Sequence, residues 1–202
     1  LVLGGLCDKL YRMHARTNQI LLIVSLVGLS WFAMQAVHEL GHVIGATASG
    51  GQVKAVVLHP LVFSRTDLSI NPNPLLVAWA GPLLGCLLPL CLWVAARRWG
   101  ASLAYLFRFF AGFCFLANGV YIGVGSFEGI GDAGDLLRAG AAPWQLIGFG
   151  LVSAGLGLLL WNGLGARFGL GRRYAEVDGR VGIGVGAILV LVVVIELVAG
   201  KI

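Results

Sequence analysis

The stretch Gln19–Ala48, QILLIVSLVGLSWFAMQAVHELGHVIGATA, carries no Asp, Glu, Lys or Arg before Glu39. A helix needs only about 20 such residues to cross a bilayer. The remainder of the chain is of the same kind. Of its 202 residues, 58% are apolar and 11% charged, against about 45–50% and about 25% in a soluble domain. A water-soluble globular protein is excluded by that balance. So is a disordered chain, which would be poor in apolar residues and rich in charge. The class is a membrane all-α protein, with residues 1–202 forming a single integral membrane domain.

Working outward, four more segments are long and apolar enough to span: Leu75–Ala96, Ser102–Val124, Pro143–Leu164 and Val181–Ala199. The fourth is rich in glycine, which weakens a helix in water but lets helices approach closely in lipid. Gly119 with Gly123, and Gly182 with Gly186, have the GxxxG spacing of packed membrane helices. Trp93, Trp99, Trp144 and Trp161 fall towards span ends, where interface anchors belong.

Between the first two spans, Val53, Ala55 and Val57 alternate with Gln52 and Lys54, and turn residues follow. That pattern predicts a short β-hairpin within Gly50–Pro74. Open strand edges cannot face lipid, so the hairpin must pack on protein or line a watery cavity. Gly125–Gly140 reads as an irregular loop, and it gathers Glu128, Asp132 and Asp135.

The net charge of +5 arises from 14 Lys and Arg against nine acids. The cations stand in short clusters between apolar segments, as residues that orient a membrane protein do, and no nucleic-acid partner is expected. With five spans, Lys9, Arg12, Arg16, Arg97, Arg98, Arg167, Arg172, Arg173 and Arg180 share one side. Lys54, Arg65, Arg138 and Lys201 lie opposite, and Arg108 is inside the third span. The excess places the N-terminus in the cytoplasm. Cys7, Cys86, Cys91 and Cys114 form no CxxC pair and read as small apolar residues.

The first span contains His38-Glu39-Leu40-Gly41-His42, an HExxH motif. Residues four apart share a helix face, so both imidazoles can reach one metal ion, and Glu39 stays free as a general base. Three ionisable residues in a membrane helix are costly and normally functional. A catalytic zinc needs a third protein ligand and an open position. Glu128, Asp132, Asp135, His59 and His14 are the candidates. Gly129–Gly134 also fits GxGxxG, but it follows a membrane helix rather than a strand of a βαβ unit, so no dinucleotide site is expected.

Taken in order, HELGH, the strand region GGQVKAVVLHP, Ala80-Gly81-Pro82 within AWAGPLLG, and DAGDLL from Asp132 resemble the site-2 protease family of intramembrane zinc metalloproteases. The resemblance covers Met34–Leu137. It departs from the family where Asn118 is followed by GVYIGVGSFEGIG, without the prolines that relatives place before their ligand aspartate. The chain has no room for the PDZ module of many relatives and would be a compact, core-only member.

The resemblance implies regulated intramembrane proteolysis in a bacterial-type cell membrane, with hydrolysis in or near a membrane-spanning segment of a substrate protein. Zn²⁺ would be held by His38, His42 and Asp132, with Glu39 as catalytic base. It also implies a zinc helix entering from outside, opposite to the charge count. Further partners would be the lipid bilayer and other membrane proteins. The alternatives are a non-catalytic zinc-binding scaffold subunit of a larger membrane complex and a metal or proton carrier.

Overall fold

The computed structural model describes residues 2–171 and 177–200, the side chains of residues 2–12 apart. In chain order come α1 (Val2–Ala48), strands β1 (Gln52–Val57) and β2 (Arg65–Ile70), α2 (Pro74–Arg98) and α3 (Ala104–Glu128). A short α4 (Gly131–Arg138), then α5 (Pro143–Trp161), a 3₁₀ turn (Gly165–Phe168) and α6 (Gly179–Ala199) complete the chain. Among the described residues, five helices are long and apolar enough to cross a membrane: α1 from Met13, α2, α3, α5 and α6. Large apolar side chains cover their outer faces, Leu151, Leu159 and Val198 among the most exposed. Such a surface suits hydrocarbon rather than water.

The span boundaries follow local chemistry. Asn73 caps α2, its side chain accepting from the Leu76 N–H at 3.1 Å, and Pro74 supplies the fixed φ of a first helical turn. Asp178 caps α6 in the same way through the Arg180 N–H. At α3's end, Gly129 takes the left-handed conformation that stops the helix. α5 ends at Trp161, short of the expected Leu164, because the chain turns at Gly163 with φ +76°. α1 begins well before Gln19, since no proline interrupts the basic flank and a membrane boundary does not itself end a helix.

One expectation is corrected. Gly125–Gly140 is not an irregular loop: α3 continues to Glu128, and Gly131–Arg138 is helical. Its glycines hide an amphipathic pattern in which Ala133 and Leu136 are fully buried against Ala78, Ile122 and Leu146. Tertiary burial outweighs poor propensity here. Asp132 is thereby held beneath α2 and α3.

The helices pack through small residues. Gly119 and Gly123 of α3 meet Gly150 of α5, and Gly182 and Gly186 of α6 lie on Leu21 and Ser25 of α1. A Cβ on Gly41 would strike the Ala80 carbonyl, so the axes of α1 and α2 approach closely just where the histidines lie. Trp99 and Trp144 stand exposed at helix ends. Trp161 instead turns inward, stacking on Phe109 at 5.1 Å and donating its indole N–H to the Phe109 carbonyl.

β1 and β2 pair antiparallel, Val56 opposite Thr66 and Val57 opposite Arg65, with an irregularity between Gln52 and Ala55. The hairpin lies against the C-terminal part of α1, and Gly200 after α6 abuts the Leu58 carbonyl. Successive spans run antiparallel. The C-terminal ends of α1, α3 and α6 therefore share one side with the hairpin, α4 and the N-terminal ends of α2 and α5. Of the charges counted for orientation, Arg172, Arg173 and Lys201 lie outside the described residues, as do the side chains of Lys9 and Arg12. The side chain of Cys7 is likewise outside them, while Cys86 and Cys114 are buried and free of disulfides.

Candidate metal centre

His38 and His42 lie one turn apart on α1, and both are buried. Each ring is fixed from behind. The Asn118 amide donates to the Cys114 carbonyl at 2.9 Å, which leaves its Oδ1 to accept from His38 Nδ1–H at 2.6 Å. His42 Nδ1–H donates to the Val77 carbonyl at 2.8 Å. With Nδ1 the donor in both, an imidazole in its neutral form presents its lone pair at Nε2.

The two lone pairs meet each other and a carboxylate. The Nε2 atoms are 3.0 Å apart, and Asp132 Oδ2 stands 2.6 Å from His38 Nε2 and 3.1 Å from His42 Nε2. Burial alone would raise the Asp132 carboxyl; with a proton on the facing Nε2 atoms, its contacts with His38 and His42 outweigh burial and hold it below the usual carboxylate range. Three acceptors this close repel unless a proton or a cation lies among them. His38, His42 and the half-buried Asp132 thus form a cluster that can hold a metal ion.

The other candidate ligands lie elsewhere. Glu128 is exposed at the end of α3, and Asp135 is exposed and paired with Arg138 at 2.6 Å. His14 is exposed near the opposite end of α1. His59 is buried in the hairpin loop, where its Nδ1 accepts from the Leu61 N–H.

Glu39 is only 3% exposed and is not a member of the cluster. Its Oε2 accepts from the Thr66 hydroxyl of β2 at 2.7 Å. Tyr121 steadies the third corner, its hydroxyl accepting from the Asp132 N–H at 3.1 Å. Gly81 lies directly under the histidines: a Cβ there would stand 2.9 Å from His38 Nε2 and closer still to the His42 ring. Thr66, Tyr121 and Val77 carry no sequence signal for these roles. Asn118 does, as a lone amide in an apolar span, where a polar group is expected to serve a purpose.

No protein-family model, curated protein or solved structure matches this chain.

Proposed function

We propose that this chain is an intramembrane zinc metalloprotease of the site-2 protease type, hydrolysing a peptide bond in or near a membrane-spanning segment of a substrate protein. The observation that supports it best is the meeting of two Nε2 lone pairs and the Asp132 carboxylate beside a carboxylate that remains outside the cluster. Two imidazoles and one carboxylate form the three-ligand set of a catalytic rather than a structural zinc site. An ion held there by His38, His42 and Asp132 supplies Lewis acidity for peptide hydrolysis.

The protein's own groups do the rest. Asn118 and Val77 keep both histidines in the ligating tautomer. Glu39 takes a proton from the attacking water as its oxygen bonds to the scissile carbonyl carbon. The same proton passes to the leaving amine as the C–N bond breaks. Thr66 orients the Glu39 carboxylate for both transfers. A helical substrate has its carbonyls hydrogen-bonded internally, so it must unwind, and the hairpin beside the site offers an edge on which the extended segment can pair.

The test is cleavage of a co-expressed single-span protein, assayed with and without a zinc chelator. A protease gives a chelator-sensitive product. A scaffold gives none even from the native chain, and a carrier gives metal or proton flux instead.

A further inference from the structure

At the membrane side away from the metal centre, Arg108 lies one turn inside α3, with Trp93 and Arg97 of α2 and Asn162 after α5 beside it. A guanidinium at this depth is expensive unless its donors are satisfied. Arg108 Nη2 donates to the Asn162 carbonyl at 2.8 Å, while Nε is buried with no partner among the described residues. The guanidinium carbons of Arg97 and Arg108 each stand 5.9 Å from the Trp93 ring, so one indole braces two cations. Arg98 follows directly and faces a neighbouring hollow, which shares Leu90 with the one beside Arg108. Among the described residues, none of these three arginines is paired with a carboxylate.

From Arg108 a cavity of about 220 Å³ opens between α2, α3 and α5, walled by Leu90, Phe115, Leu156, Leu159 and Leu160. Phe115 is two turns deeper than Arg108, so this trough reaches about 10 Å towards the bilayer midplane. A cation one turn inside the span, above an apolar trough, matches a phosphate ester drawn to it and joined to an acyl chain. We infer that this is a binding site for an anionic glycerophospholipid, its phosphate on Arg108 and its chain between α2, α3 and α5. Three arginines without a carboxylate partner among the described residues favour a headgroup with net negative charge over a zwitterionic one. The side is also the more basic one, where anionic lipid is attracted to a cytoplasmic face. The inference is independent of the metal centre.

Binding of dioleoylphosphatidylglycerol and dioleoylphosphatidylcholine to the purified full chain, followed by native mass spectrometry, tests it. Phosphatidylglycerol should bind about tenfold or more tightly than phosphatidylcholine, the worth of one charge-assisted contact. Arg108→Gln should remove that preference, whereas Arg180→Gln, on the same side but on α6, should keep it. Leu156→Trp fills the trough and leaves the cations, so it should weaken both lipids even if Arg108→Gln fails to fold. Equal binding of the two lipids by the native chain would overturn the inference, as would an unchanged preference in Arg108→Gln or undiminished binding in Leu156→Trp.

Discussion

The Thr66 hydroxyl donates to the Glu39 carboxylate at 2.7 Å, joining the β-hairpin to the helix that carries both histidines. The hairpin is therefore a wall of the site. A hydrogen bond to a charged group is worth about 1.5–3 kcal/mol. Thr66→Val keeps the side chain's shape and removes the donor. Metal content should stay at the native level while cleavage falls about tenfold or more, and Thr66→Ser should restore it. A faster Thr66→Val protein would show instead that the hairpin restrains the base.

Gly81 is the point at which α2 makes room for the two imidazoles. Its place inside a regular helix means that alanine would ordinarily favour the helix slightly. Here the added methyl would press on both imidazoles. Gly81→Ala should retain native helicity by circular dichroism and lose bound metal. Native metal content in that variant would show that the rings yield without cost.

Asp132 and Asp135 differ by less than one turn, yet the structure gives them different surroundings. Asp132 faces the histidines, and Asp135 makes an exposed pair with Arg138. Exposed pairs contribute little. Asp132→Asn should lose the metal, while Asp135→Asn and Glu128→Gln should keep it and keep cleavage. Metal retained in Asp132→Asn and lost in either of the others would move the ligand.

Orientation separates the charge count from the family resemblance. Arg16, Arg97, Arg98, Arg167 and Arg180 lie on the side opposite the hairpin, while the hairpin's side carries Lys54, Arg65 and, at the end of α4, Arg138. By the positive-inside rule, that distribution predicts the side carrying His38, His42 and Asp132 to lie outside the cytoplasm. A cysteine engineered beside Lys201 in a cysteine-free background should react with an impermeant reagent from outside. Labelling from the cytoplasm alone would reverse the assignment.

The spans were legible because hydropathy over about 20 residues outweighs every local signal in a membrane protein. The hairpin was legible from the alternation of Val53, Ala55 and Val57. HExxH announced two imidazoles on one face, since helical spacing alone brings His38 and His42 together. Spacing left Asp132 and Asp135 level, because which face of α4 is buried depends on the packing of Ala133 and Leu136 beneath α2. Asn118 and Thr66 reach the site across 80 and 27 residues of chain. Partners that distant are set by tertiary packing, which no local pattern records.

The measurement closest to the central claim is zinc content and substrate cleavage determined on the same preparations of the native chain, His38→Ala and Glu39→Gln. Glu39 lies outside the ligand cluster, and glutamine cannot accept the water's proton. Glu39→Gln should therefore hold zinc at the native level and cleave nothing, while His38→Ala should lose both. Equal zinc loss in the two variants, or cleavage by Glu39→Gln at the native rate, would contradict the account.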